Sequence, residues 1–248
     1  METVTTEQRT RRERRFRFGR GMFRALRGVS VASTGIAVLA LFAVIIYVLV
    51  GGAGKLSWQL LLGAYRGDQV SILPAFIGTM ELVLIAVVIA VPIGIGSAIY
   101  LVEYMNNKGK LVKIIRVATE TLAGIPSIVY GLFGYLVFVV SFGWGYSLLG
   151  GGITLAVMIL PVIVRSTEES LLAVPDGFRE GAYALGASKV RTIFRVVLPS
   201  AAPGIVTAMI LAVGRVVSES AVLILTVGMV VNLVPVTPMS SGTSLALD

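Results

Sequence analysis

The chain of 248 residues contains no cysteine and no histidine. The first absence excludes disulfides, thiol nucleophiles and cysteine-ligated zinc, and the second removes the side chain that most general-base and zinc sites use. A hydrolytic enzyme would have to work with carboxylate, serine, lysine or tyrosine side chains alone. We therefore expect no catalytic residue, no metal site and no cofactor in this chain.

Charged residues are scarce as well. They make up 14% of the chain, whereas soluble domains carry roughly 25%. Hydrophobic residues make up 56%, and the mean hydropathy is +0.91. Several uninterrupted apolar runs approach the ~20 residues that a membrane-spanning helix needs. The composition predicts an all-α, polytopic membrane protein with a basic tail over 1–28 and a transmembrane domain over 29–248.

Five apolar runs are predicted as spans, at 29–50, 72–102, 118–140, 148–164 and 201–231. In the second run, Pro92 followed by Gly94 and Gly96 predicts a kink or a close helix contact. The third run contains the break at 124–127, GIPS, which either leaves backbone groups free to line a pathway or starts an interfacial helix. The last residues, 235–248, are rich in proline, serine and glycine, which is typical of a loop.

The net charge of +8 is concentrated at one end, because nine arginines lie within the first 27 residues. A basic run beside a membrane helix more often orients the chain and contacts membrane lipids than it binds nucleic acid. With this tail inside, the tail, 103–116 and 165–199 hold eighteen of the 21 Lys and Arg residues, and only Lys55 and Arg66 lie in outer segments. The positive-inside rule therefore predicts a cytoplasmic N-terminus and a cytoplasmic loop at 166–199.

This loop, 166–199, has the pattern of two short helices joined by a turn. Asp176 is the expected N-cap of a first helix over 177–185, which Gly186 ends in a left-handed turn. Small residues give this helix and the turn after it a surface of low relief: Gly181, Ala182, Ala184 and Ala187.

Ser188 is expected to cap the second helix, over 189–197, which stops at Leu198-Pro199. The groove of a second protein can take such a helical surface, with Arg179 and Glu180 as charged contacts at its rim. The alternative from the residues alone is an amphipathic loop that lies on the lipid headgroups.

The loop resembles the cytoplasmic loop of permease subunits in ATP-binding-cassette importers. Their signature is Glu-Ala-Ala, three residues, Gly, and a hydrophobic stretch ending in Leu-Pro, and it appears here as 180–186, EGAYALG, with its end at 198–199. Glycine replaces the first alanine, which loosens the helix by up to about 1 kcal/mol. The resemblance implies a coupling helix that docks into an ATPase subunit through Glu180, Gly181, Ala182, Gly186, Ala187, Leu198 and Pro199.

ATP hydrolysis is expected in that partner, because this chain has no phosphate-binding loop of its own. Such a loop needs Gly, four residues, and then Gly-Lys-Ser/Thr. If Gly54-Lys55 in the run GGAGKLS is aligned with this pattern, Leu49 takes the place of the first Gly and Leu56 takes the place of the Ser or Thr.

Three further segments resemble phosphate importer permeases: 122–134 (LAGIPSIVYGLFG), 165–175 and 214–220. The whole match spans about 71–230 and favours the A-type subunit over its C-type paralogue. The resemblance implies a prokaryotic cell membrane and six membrane helices, so five spans suggest a truncated product or an incomplete gene model. It also implies the partners: a homologous permease, two ATPase subunits and an extracytoplasmic phosphate-binding protein.

Ionisable residues also occur inside the apolar runs. Arg215 is expected near the bilayer centre, with Glu219 one turn further along the same helix face, where each charge costs roughly 2.5–3.5 kcal/mol. The pair either binds phosphate oxygens or neutralises itself to permit insertion. By position alone Arg165 is a snorkelling anchor, but the resemblance implies substrate translocation by Arg165, Arg215 and Glu219. The Glu81 carboxylate is expected to be solvated or to face a cavity, which accounts for its presence without any function.

The sequence thus predicts a permease subunit of an ATP-driven importer, for which the resemblance implies inorganic phosphate as cargo. Another oxyanion such as sulfate or molybdate is the alternative within this class. An ion-coupled secondary transporter, with Glu219 and Glu81 as proton carriers, is the alternative from a different class.

Overall fold

The computed structural model describes residues 2–54, 57–58, 60, 63, 71–105, 109–229 and 237–247. They fall into two units, Met1–Ser57 and Trp58–Asp248. The first unit is a helix, α1 (Glu2–Ala53), whose part over Ala25–Ala53 is long and apolar enough to cross a membrane. This part contains the predicted first span. Two basic residues assigned above to the outer side lie outside the described residues, Lys55 and Arg66.

The main helices of the second unit are α2 (Leu73–Ile99), α3 (Lys110–Ala123), α4 (Ser127–Gly134), α5 (Leu148–Leu172), α6 (Asp176–Ala184), α7 (Lys189–Thr192), α8 (Leu198–Val217) and α9 (Ala221–Thr226). Wider, π-helical turns extend three of them. These turns are Tyr100–Tyr104 after α2, Tyr135–Ser141 after α4, and Ile193–Val197 between α7 and α8.

By length and composition, four helical segments of the described chain can cross a membrane: Ala25–Ala53, Leu73–Tyr104, Leu148–Leu172 and Lys189–Val217. The pair Lys110–Ala123 and Ser127–Ser141 adds a fifth crossing if its two parts count as one bent span. The chain is therefore an all-α, multi-pass membrane protein, as the composition predicts.

The third apolar run, predicted at 118–140, is broken rather than straight. Its two parts meet at an angle of 95°, and α3 begins at Lys110, within the stretch predicted as a polar loop. The cause is local, because Pro126 has no N–H to donate and takes an extended ψ of 138° as the N-cap of α4. The sequence predicts the position of this break correctly, but not its angle.

The fifth run, predicted at 201–231, is also interrupted. Helix α8 ends at Val217, and α9 begins at Ala221. At its other end, the prediction that Pro199 stops the preceding helix is wrong, since α7 continues through Ile193–Val197 into α8. The π turn displaces the carbonyl that the proline ring would otherwise strike, so the helix passes through Pro199.

Helix α5 is at the centre of the second unit. In the most apolar stretch of α5, 67% of the residues are buried, whereas 28% are buried in the corresponding stretch of Leu73–Tyr104. Leu155, Ile159 and Ile163 of α5 have no exposed surface. Helix α2 lies close to it because Gly94 has no side chain, and a Cβ there would lie 2.6 Å from Ile163 Cγ2. The close contact predicted around Pro92 is thus confirmed at Gly94.

The segment 237–247 packs on the first turn of α5. The backbone N–H groups of Leu148 and Leu149 donate to the carbonyls of Ser240 and Pro238, at 3.1 and 2.8 Å. The third amide, of Gly150, donates to the side chain of Ser147 at 3.2 Å. The described part of the predicted terminal loop, 237–247, therefore covers the start of this helix.

Candidate functional site

The loop between α5 and α8 contains the short helices α6 and α7. The prediction that Asp176 is the N-cap of the first is wrong. Pro175 occupies the cap with a ψ of 138°, which makes Asp176 the first helical residue. The Asp176 carboxylate instead accepts a hydrogen bond from Arg179 Nη1 at 3.1 Å.

The turn after α6 has the predicted left-handed glycine. Gly186 has a φ of +82°, and its N–H donates to the Tyr183 carbonyl at 2.9 Å while the N–H of Ala187 donates to the Ala182 carbonyl at 3.0 Å. These two bonds form a Schellman motif, which satisfies the last carbonyls of a helix. The predicted cap of α7 is confirmed too, because Ser188 Oγ accepts from the N–H of Arg191 at 3.4 Å.

Most residues of this loop are exposed. No residue of α6 is buried, and the side chains of Phe178 and Leu185 are 55% and 89% exposed. A groove of about 690 Å³ separates α6 from α7, and Gly181, Ala182, Ala187, Arg191 and Arg195 are among its lining residues. Of the remaining residues predicted to couple, Gly186 and Glu180 are exposed, Leu198 is half-buried and Pro199 is exposed.

Arg179 is an exception, and its predicted place at the rim of a docking surface is wrong. Its side chain is only 14% exposed and is paired with Glu103, which is 6% exposed. The Nε–H and Nη2–H groups of Arg179 donate to Glu103 Oε1 at 3.1 and 2.9 Å. They hold the loop to the end of the π turn after α2.

A second cluster of ion pairs joins α3 to α5. Arg165 donates from Nη1 to Glu120, and from Nε to Glu169 at 2.6 Å. Next to it, Arg116 donates from Nε to Glu168 Oε1 at 2.6 Å. Arg165 is 43% exposed and Glu168 is 5% exposed. The predicted translocation residue Arg165 is therefore bound by two carboxylates.

Sequence reasoning missed Arg116, Glu120 and Glu168. A signal was present, since Arg116 and Glu120 are four residues apart and so share one face of a helix. It was concealed because the stretch 103–116 has the composition of a polar loop.

The structure does not bring Arg215 and Glu219 together. Because α8 ends at Val217, Glu219 is not one turn further along the same face. Its Oε1 accepts from the N–H of Val222 at 3.4 Å, at the start of α9. Within the described residues, Arg215 forms no ion pair with Glu219.

Glu81 lies half-buried in α2, and its Oε2 is a buried atom without a hydrogen-bond partner among the described residues. The described part of the chain also contains no cluster of acidic residues that could hold a metal ion.

Three comparisons relate this chain to known proteins. Residues 90–242 match the family model described as "binding-protein-dependent transport system inner membrane component". A probable ABC transporter permease protein, YqgI of Bacillus subtilis, is 37% identical over 215 residues, which are 84% of this chain and 69% of that protein. The phosphate transport system permease protein PstA of Mycobacterium leprae is 41% identical over 154 residues, or 62% of this chain.

The chain spans about half the length of that mycobacterial relative, since the match covers 50% of it. Among solved structures, the MetNI methionine ABC transporter in an inward-facing conformation is similar with a TM-score of 0.50. The sequence identity is 24%, and the match covers 58% of this chain and 67% of that one. This likeness concerns the fold alone.

Proposed function

This chain belongs to the family of inner membrane components of binding-protein-dependent transport systems, and we propose from this that it is the permease subunit of an ATP-driven phosphate importer. It works with a homologous permease, two ATPase subunits and an extracytoplasmic phosphate-binding protein. The observation that carries the proposal is the exposed pair of helices α6 and α7, set between the two membrane helices α5 and α8. Relatives named as phosphate permeases support the choice of cargo.

We propose the cytoplasm as the location of the N-terminus and of the segment 173–197, which contains α6 and α7 and is called the α6–α7 loop. The loop then meets the ATPase subunits through the groove between its two helices. A groove with exposed Phe178 and Leu185 beside Arg191 and Arg195 suits a partner that offers apolar side chains and carboxylates.

For the cargo we propose Arg165, Arg215 and Glu219 as translocation residues. A guanidinium fork binds phosphate oxygens in the same bidentate way as it binds a carboxylate. Since Glu120 and Glu169 already bind Arg165, phosphate has to replace at least one of these carboxylates. Glu219 contributes by holding the start of α9 beside the end of α8.

The test is uptake of radiolabelled phosphate by the complete importer in proteoliposomes, with and without ATP. Uptake should require ATP and the binding protein, and excess sulfate or molybdate should not compete. Uptake that continues without ATP but stops with an ionophore would instead support an ion-coupled transporter.

In the same assay Arg215→Gln should lower uptake by about tenfold or more, as expected for the loss of a charge-assisted hydrogen bond of about 1.5–3 kcal/mol. Lys113→Gln, at an exposed position of α3, is the matched control and should import at the wild-type rate. An Arg215→Gln variant with wild-type uptake would remove Arg215 from the proposed site.

A further inference from the structure

Arg179 attaches helix α6 to the ends of the neighbouring membrane helices. Besides Glu103, its guanidinium binds one carbonyl in the last turn of α5 and one just beyond the end of that helix. Its Nη1–H donates to the Val174 carbonyl at 2.8 Å, and its Nη2–H donates to the Leu171 carbonyl at 3.0 Å. Apart from Arg179, the residues of α6 are exposed or only partly buried, so little else packs this helix against the membrane helices. We call these contacts of Arg179 with Glu103, Leu171 and Val174 the arginine clasp.

A second contact reaches the same turn from α7. The ammonium group of Lys189 lies 4.7 Å from the centre of the Tyr104 ring, a cation–π geometry. Tyr104 follows Glu103 in the π turn Tyr100–Tyr104. The two short helices of the loop therefore hold the end of α2 at two neighbouring residues.

The clasp should stay closed while the loop moves. The Glu103 carboxylate is 6% exposed, and separating a buried carboxylate from its arginine leaves a charge that neither water nor protein compensates. A displacement of α6 is then more easily passed to the ends of α2 and α5 than absorbed at the clasp. Leu171 follows Arg165 by six residues, about 9 Å along α5, so the displacement also reaches the ion pair of Arg165 with Glu120.

We propose that Arg179 is a positioning residue for transport, which transmits movement of the α6–α7 loop to α2 and α5. The proposal rests on the proposed function, since it presumes that an ATPase moves this loop. It assigns to Arg179 a role behind the docking surface rather than in it. ATPase binding and ATP hydrolysis should then survive its loss, while their coupling to phosphate uptake should not.

The test measures ATP hydrolysed per phosphate imported by the complete importer in proteoliposomes. Arg179→Met should raise this ratio by about tenfold, within the 5–150-fold range of typical coupling energies. The ATPase subunits should still copurify with the variant. Lys113→Met, which removes a positive charge from an exposed position on α3, is the control and should keep the wild-type ratio.

Two further variants separate transmission from simple destabilisation. Arg179→Met combined with Glu103→Met removes the unpaired buried charge without restoring the link, so the thermal stability lost in the single variant should recover while the high ratio remains. Arg179→Lys keeps a charge beside Glu103, but its three N–H donors are on one nitrogen and do not reproduce the spacing of Nε, Nη1 and Nη2, so it should give an intermediate ratio.

Several outcomes would overturn the proposal. A wild-type ratio in Arg179→Met, or in the double variant, would show that the clasp does not transmit movement. Loss of the ATPase from both the double variant and Arg179→Lys would place Arg179 in the docking surface instead. If the wild-type importer itself fails to take up phosphate with ATP, the proposed function fails first, so the two failures are distinguishable.

Discussion

Replacing Gly186 with alanine tests whether the left-handed turn fixes the geometry of the α6–α7 loop. Gly186 has a φ of +82°, and a Cβ built there has no other heavy atom within 4 Å. The substitution therefore causes no clash with other parts of the chain, and its whole effect comes from the local backbone conformation. An alanine at this φ costs about 1 kcal/mol, because its Cβ approaches the following carbonyl oxygen.

Hydrogen exchange of backbone amides in detergent measures this effect locally. The amides of residues 186 and 187 donate the two bonds of the Schellman motif, so their exchange reports on opening of the turn. A loss of about 1 kcal/mol should speed their exchange about fivefold, since about 1.4 kcal/mol corresponds to tenfold. Unchanged exchange at both amides would refute the reasoning.

Gly181→Ala is the matched control within the same loop. Gly181 lies inside α6, and a Cβ there also has open space around it. Because alanine favours the helix over glycine by up to about 1 kcal/mol, exchange at residues 186 and 187 should become slower. If both substitutions changed the exchange in the same direction, backbone conformation would not be the cause.

Two other predictions concern the stability of the second unit, measured by thermal unfolding in detergent. Gly134→Ala should destabilise by about 1–3 kcal/mol, since the new Cβ would overlap Thr154. At Gly96, inside α2, an added Cβ has no contact within 4 Å, so Gly96→Ala should not destabilise, and equal losses would contradict the packing argument. Arg116→Met should destabilise by about 3 kcal/mol, because it leaves the buried Glu168 unpaired. A second substitution, Glu168→Met, should restore most of this loss, and no recovery would argue against a buried charge.

The parts of the fold that depend on nearby residues could be predicted from the sequence. The lengths of the apolar runs alone located the membrane helices. The residue types at positions 186 and 188 predicted the left-handed conformation of Gly186 and the helix cap at Ser188. The end of α8 could not be predicted in this way. Ser218-Glu219-Ser220 contains no proline or glycine, and the apolar run resumes directly after it.

The long-range ion pairs could not be predicted for a different reason. Arg179 and Glu103 are 76 residues apart, and Arg165 and Glu120 are 45 apart. Nothing local to either residue identifies its partner, because the pairing depends on how α2, α3 and α5 pack. Arg179, which directly precedes the coupling signature, was therefore predicted to be a surface residue, although its side chain is mostly buried.

The cover formed by 237–247 has a consequence for the proposed transport of anions. The free amides at the start of a helix attract phosphate and similar ions. At α5 those amides are already bonded, to the carbonyls of Pro238 and Ser240 and to Ser147 Oγ. These amides therefore offer no strong binding site for an anion. Strong binding would hinder transport, because a transport route has to release what it binds. At this helix, attraction of the proposed anionic cargo is then left to side chains, which can turn towards an anion and away again.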